Sequence, residues 1–292
     1  MDQKKLKVAL PSKDEQLSLH NTDILLKTNL TRLQLNEIVS SVQDEEGSTR
    51  RKKLAVWLEQ VTGVLKRWDR GADASTVASS SWLEKRGLKG FVLRSSACAF
   101  AVKPPVSVQL IGSYALGTAT APILNCDVAV VMSSSCFDAK DILNHVYFDK
   151  KLLFLASVAD ILRSAGICSS IQVSMLQGDS RKPYLVIEPN YKCRYVVRIF
   201  PCVPATAFKL TQLKPTKNNI RSSSWMSTLQ KRRHLSASDK PGDLDPSSLP
   251  ATPYYNMAIL EDIAMVPQFK ILARACETCP CFKDVCILLK VS

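Results

Sequence analysis

Two β-branched runs, separated by a Gly-Ser break, constrain the fold of this chain most. Residues 106–111 (VSVQLI) alternate apolar and polar side chains, the period-two signature of a strand. Gly112-Ser113 breaks that strand, and a short helix is expected before Asn125. Residues 127–132 (DVAVVM) then read as a second strand. Glycine suits such a strand-to-helix turn on backbone grounds alone, because it carries no Cβ penalty.

The surrounding chain continues the mixed pattern. A long amphipathic helix is expected over 138–164, carried by Ile142, Val146, Leu152, Leu153, Leu155, Val158, Ile161 and Leu162. Strands are expected at 171–176, 184–187 and 195–200. Strand, short helix, strand, long helix and further strands define an α+β class with a mixed sheet. The first ninety residues read as helical instead. Leu25, Leu26, Leu30, Leu33, Leu35 and Ile38 recur at near-helical spacing until Gly47. Ser48 or Thr49 can cap a second helix with Leu54, Trp57, Leu58, Val61, Leu65 and Trp68 on its apolar face. Residues 70–81, small and polar, read as a loop. The expected organisation is a helical region over 1–90, a mixed unit over 91–208, a basic linker over 209–250 and renewed helix over 251–292. The last helix ends on an apolar run with no C-terminal cap, as if cut.

Composition limits the class of protein. Hydrophobic residues at 46% and charged residues at 22% are ordinary for a globular chain. No apolar run approaches the roughly 20 residues that a bilayer requires. The first residues lack the apolar core of a secretory signal, so a soluble intracellular chain is expected. Its 39 Lys and Arg against 26 Asp and Glu leave a net charge of +13. That excess suits a polyanion partner as well as it suits mere solubility.

Part of the charge is concentrated. Lys209, Lys214, Lys217, Arg221, Lys231, Arg232 and Arg233 lie among Ser, Asn and Pro, with Trp225 in their midst. Cations interleaved with an aromatic suit backbone contact and base stacking on single-stranded RNA. A solvated linker whose Trp225 docks on the core is the other reading. A second basic run, Arg50-Arg51-Lys52-Lys53, opens the helix after Ser48. Positive charge there opposes the helix macrodipole and favours an external anion, although a solvated helix end has the same composition.

Ten cysteines in an intracellular chain are expected to be reduced thiols. Cys276-x-x-Cys279-x-Cys281-x4-Cys286 comes nearest to a zinc pattern, but all four fall within eleven residues. Structural zinc sites use two chelating loops separated by a longer spacer. Core and loop thiols are expected, with no metal and no cofactor. His20, His145 and His234 are scattered and have no paired nucleophile nearby in sequence.

The block GSYALGT at 112–118, followed by NCDVAVV from Asn125, resembles nucleotidyltransferases of the DNA polymerase β superfamily. The resemblance implies a Gly-Ser turn that holds nucleotide phosphates at a helix N-terminus. It also implies two carboxylates one residue apart on a strand face and a third on a neighbouring strand, together holding two Mg²⁺. This chain departs from the pattern. Asn125 stands at the first acidic position, Asp127 remains, and the neighbouring strand YVVRIF carries Arg198 in place of an acid. Glu188, just before Pro189, is the nearest other acid. Gly112, Ser113, Asn125, Asp127 and Arg198 therefore mark a degenerate site. A transferase scaffold without catalysis is expected; the other reading of Asp127 is that it simply hydrogen-bonds the turn near Asn125 and Ser113.

Three further phrases strengthen a narrower resemblance. They are Leu143-Asn144-His145-Val146-Tyr147-Phe148-Asp149-Lys150-Lys151, Leu213-Lys214-Pro215-Thr216-Lys217-Asn218-Asn219-Ile220-Arg221, and Thr252-Pro253-Tyr254-Tyr255-Asn256. With the 112–132 block they resemble the N-terminal part of the Nrap family of nucleolar RNA-associated proteins. Those are longer chains of degenerate transferase domains and poly(A)-polymerase-like helical domains. The resemblance implies the nucleolus, the small-subunit processome, pre-rRNA or snoRNA and processome proteins as partners, and no membrane. The leading expectation is a non-catalytic RNA-binding scaffold. The alternatives are an active RNA nucleotidyltransferase using Asp127 and Glu188, and a protein-interaction module whose basic surface meets acidic segments.

Overall fold

The computed structural model describes residues 11–27, 29–43, 47–68, 75–78, 83–84, 93, 98–101, 103–122, 124–220, 253–279 and 281–291. Within them α1 (Lys13–Lys27) and α2 (Asn29–Val42) lead into α3 (Thr49–Lys66). An antiparallel pair follows, β1 (Ser75–Ala78) and β2 (Cys98–Ala101). The main unit then runs β3 (Ser107–Ile111), α4 (Gly112–Leu116), β4 (Leu124–Val131), α5 (Val146–Ser164), β5 (Cys168–Met175), β6 (Pro183–Pro189) and β7 (Tyr195–Cys202). Two helices close the described chain, α6 (Pro253–Thr278) and α7 (Phe282–Val291). The sheet order is β3-β4-β7-β6-β5, in which β4 and β7 pair parallel and the other neighbours antiparallel. The class is α+β with a five-stranded mixed sheet.

The run of apolar residues in β4 follows from its place in the sheet, with both faces covered. Leu124, Cys126, Val128 and Val130 enter the main core with residues of α3 and α5. Ala129 and Val131 join Ile111, Phe200 and Cys202 in a smaller cluster on the other face, against which Met265, Val266 and Phe269 of α6 pack. Because side chains alternate along a strand, Asn125 and Asp127 lie on this second face.

Helix α3 forms as its sequence predicts. Ser48 is the N-cap and accepts a hydrogen bond from the Arg51 amide at 3.2 Å. Leu54, Trp57, Leu58, Val61 and Leu65 are buried, and burial of each such side chain stabilises by roughly 1.5–3 kcal/mol. The Trp57 indole donates to the Ile167 carbonyl at 2.8 Å, and Trp68 stacks on Phe154. The helix thus shares one core with the sheet.

Other expectations are corrected. The helix expected from residue 138 begins only at Val146, because Asn144 and His145 take φ of 54° and 69° and form a left-handed turn. Leu30, Leu33, Leu35 and Ile38 do lie on a helix, yet all four are exposed, and Val39 is the buried contact of α2. Helical spacing there does not mean a covered face. The loop expected over 70–81 contains β1, which is held by pairing with β2, a partner about twenty residues away in sequence. Among the described residues no helix is long and apolar enough to cross a membrane.

Candidate functional site

Gly112, Asp127 and Arg198 meet at the head of β4. Arg198 occupies the position of β7 that pairs with Asp127 in the parallel register. Its guanidinium donates from Nε to Oδ1 at 2.7 Å and from Nη2 to Oδ2 at 2.9 Å, a bidentate ion pair. The two side chains are only 22% and 13% exposed. Partial burial works to lower the guanidinium pKa, but the bonds to Asp127 and its charge outweigh that, and the net shift is upward. Arg198 also lies over the Phe200 ring at 5.5 Å, and Phe200 stacks on Tyr184 at 5.0 Å. The reading that Asp127 serves the turn is therefore corrected: its carboxylate belongs to Arg198. Reading the two positions separately missed this, although an acid and an arginine on adjacent strands were the available signal.

The donor set does not fit a divalent ion. Asn125 is neutral, both oxygens of Asp127 are engaged, and a guanidinium competes for the same lone pairs. Glu188 lies on β6, separated from β4 by β7, and its register partner on β5 is Ser170. No metal-dependent step can be derived from these residues. Gly112 takes φ of +72°, and a Cβ built on it would lie 2.6 Å from Oδ2 of Asp127. The glycine is thus required twice, by its conformation and by the closeness of the carboxylate. Ser113 receives the Thr118 amide on its carbonyl at 2.8 Å, which closes the turn. With five residues, α4 is too short for a developed dipole.

The described parts of the three phrases, 143–151, 213–220 and 253–256, converge in space as a buried polar lock. Asn256, fully buried, donates to the carbonyls of Lys214 at 2.9 Å and Lys217 at 2.8 Å and accepts from Asn219 at 2.7 Å. Asn219 accepts the Asn144 amide at 3.1 Å and also donates to the Gln212 carbonyl. Tyr255 receives the His145 amide on its hydroxyl at 2.9 Å. Beneath this, Asp262 of α6 accepts from Lys151 at 2.6 Å and from Tyr147 at 2.7 Å. Burial raises the Asp262 carboxyl pKa against the lowering influence of Lys151, and burial chiefly raises that of Tyr147. Lys150 pairs with Asp141 at 2.6 Å. Side chains of this kind look like surface charge in a sequence; the fold makes them internal.

The expected RNA-contact residues divide. Lys209, Lys214 and Lys217 present exposed side chains on a loop whose backbone the lock pins. Arg221, Trp225, Lys231, Arg232 and Arg233 lie outside the described residues. In the basic run at 50–53, Arg51 turns inward, donating to the Tyr114 carbonyl at 3.1 Å and lying 4.4 Å over its ring. Arg50, Lys52 and Lys53 are exposed. Cys279 and Cys281 are exposed with sulfurs 3.4 Å apart, Cys276 is buried and Cys286 half-buried. Among the described residues no three metal-capable side chains gather.

The family model of Nrap protein domain 1 matches residues 89–278, a span that holds the whole sheet, the ion pair and the lock. The chain belongs to the Nrap family. Relatives of this Nrap chain include Nucleolar protein 6 of Xenopus laevis, 33% identical over 285 residues, covering 96% of this chain and 24% of the relative. Nucleolar protein 6 of Homo sapiens is 31% identical over 289 residues, with 96% and 24% covered. That of Drosophila willistoni is 27% identical over 294 residues, with 98% and 22% covered. The Nrap chain thus spans about a quarter of the length of these relatives. These relatives are named as nucleolar proteins.

Proposed function

We propose that this Nrap segment is a non-catalytic, RNA-binding scaffold built on a degenerate polymerase β-like nucleotidyltransferase unit. It acts in nucleolar pre-rRNA processing within the small-subunit processome, where its partners are pre-rRNA or snoRNA and other processome proteins. The observation that carries the non-catalytic part is the bidentate pair of Arg198 with Asp127. A cation fixed on the one remaining acid removes the ligand on which two-metal phosphoryl chemistry depends. The RNA-binding part is supported by the net charge of +13 and by exposed lysines on a pinned loop. The nucleolar role is supported by the names of its relatives.

Two measurements test the proposal. Incubation with labelled NTPs, RNA and Mg²⁺ or Mn²⁺ is expected to give no incorporation; incorporation abolished by Asp127→Ala would establish an active transferase instead. Filter binding of structured pre-rRNA at several salt concentrations is expected to show affinity that falls with salt. Absence of binding near physiological salt, with acidic protein segments still bound, would leave a protein-interaction module.

A further inference from the structure

A second cationic surface, remote in sequence from the 209–250 stretch, lies where the start of α3 meets the turn between β6 and β7. Two clefts open on either side of Thr49. One, about 510 Å³, is lined by Lys52, Lys53, Gln60, Asn190 and Tyr191, with Trp57 in its wall. The other, about 690 Å³, is lined by Ser48, Arg50, Gln43 and Arg194, with Leu124 and Tyr195 in its wall. A third, about 560 Å³, runs beneath the turn past Lys192 and Arg194 and contains Glu188. Arg50, Lys52, Lys53, Lys192 and Arg194 are all exposed. Among the described residues, none of their five side-chain cations is engaged in a hydrogen bond or ion pair. Among the described residues, neither of the first two clefts has a carboxylate in its lining. Asp44, Glu45 and Glu46 precede the surface in sequence and lie outside the described residues.

Chain segments about 140 residues apart thus bring five exposed cations to one ridge. The first turn of α3 contains no acid, so its dipole adds to the positive field. Hydroxyl and amide groups (Ser48, Thr49, Gln60, Asn190) alternate with those cations, and aromatic residues form part of the cleft walls. Single-stranded RNA needs cations for its phosphates, polar groups for sugars and base edges, and cavities that admit a base.

We infer that this ridge is a binding surface for single-stranded RNA, the phosphodiester backbone following Arg50, Lys53, Lys192 and Arg194 and the bases entering the flanking clefts. The assignment rests on the RNA-binding reading above and names where that binding occurs. The test is fluorescence anisotropy of a labelled oligouridylate with the 292-residue chain at several salt concentrations. Its variants are a quadruple Gln set (Arg50, Lys53, Lys192, Arg194), the matching Glu set, and Lys214→Gln with Lys217→Gln. The quadruple Gln set is expected to weaken binding by about tenfold or more and to lower the salt slope by roughly 0.7 for each phosphate no longer neutralised. The loop pair is expected to change binding less. Thermal unfolding at the wild-type temperature confirms that the variants are folded, and the Gln set serves if the Glu set is not. Ultraviolet crosslinks are expected on peptides containing the half-buried Tyr191. Wild-type binding that the quadruple sets leave unchanged would overturn this assignment while the RNA-binding reading stands. No wild-type binding near physiological salt would overturn that reading itself. Displacement by polyglutamate as effective as by unlabelled RNA at equal charge would assign the ridge to an acidic protein segment and overturn the proposal.

Discussion

Arg198 holds both carboxylate oxygens of Asp127 from the adjacent parallel strand, at 2.7 and 2.9 Å, in the register position directly across. These two residues of β4 and β7 neutralise each other. Removing one partner leaves a largely shielded charge alone, which is worse than losing both. Arg198→Met is expected to destabilise the fold by about 2–3 kcal/mol, and Asp127→Asn by about 1–2 kcal/mol. The double variant is expected to be less destabilised than the sum, with a coupling energy of about 1–3 kcal/mol. Urea unfolding of the four species measures it, and additivity would mean that the pair contributes nothing.

Gly112→Ala tests the turn beside the pair. The added methyl meets Oδ2 of Asp127 at 2.6 Å, and alanine must adopt φ of +72°. The backbone alone costs about 1–3 kcal/mol, and displacement of Asp127 adds to it. Combining the change with Asp127→Ala removes the clash but keeps the backbone strain. The double variant is therefore expected to show less than the sum of the two single losses by thermal or urea unfolding.

Asn256 is the centre of the lock between α6 and the 209–220 loop. Leucine at this position fills similar volume but strands the carbonyls of Lys214 and Lys217. A loss of about 2–4 kcal/mol is expected, since each buried unsatisfied group costs about 1–3 kcal/mol. Amide hydrogen exchange is expected to accelerate across residues 209–220 well before the strands β4 and β7 respond. Uniform acceleration through the sheet would deny the lock its local role.

Lys151→Met leaves the buried Asp262 without its cation, and a loss of about 3–5 kcal/mol is expected near neutral pH. Burial already raises the Asp262 pKa, and removing the lowering effect of Lys151 raises it further. An acid whose folded-state pKa is raised contributes stability below its unfolded pKa and loses it as pH rises through the folded value. The deficit of the variant is therefore greatest above that folded value and shrinks as pH falls toward the ordinary carboxylate range near about 4. Unfolding of both proteins at pH 5 and pH 8 checks the sign; a deficit that grows on acidification would contradict it.

Much of the architecture was legible from local pattern. The alternation at 106–111, the Gly112-Ser113 break and the apolar runs of β4 and β7 predicted strands where strands occur. The spacing from Leu54 to Leu65 predicted the buried face of α3 residue by residue. These signals are local, since periodicity and turn chemistry act within a few residues. Where expectation failed, the deciding interaction was distant. A β1 strand needs β2, the left-handed turn at Asn144-His145 that delays α5 is bonded to Asn219 and Tyr255, and α2 shows that an apolar helical stripe does not cover itself.

At the site, the order of amino acids alone dictates which groups exist: one acid at Asp127, an amide at Asn125, an arginine at Arg198, and a glycine able to take the turn. Their chemistry already spoke against a pair of bound divalent ions. That Arg198 closes on Asp127 is a product of folding, because parallel register between β4 and β7 joins residues 71 apart. Folding likewise carries Lys150, Lys151, Asn219 and Asn256 into the interior, where low dielectric makes their pairing obligatory. It also gathers Arg50, Lys53, Lys192 and Arg194 onto one ridge, since charges from separate segments combine into one field only once tertiary structure brings them together.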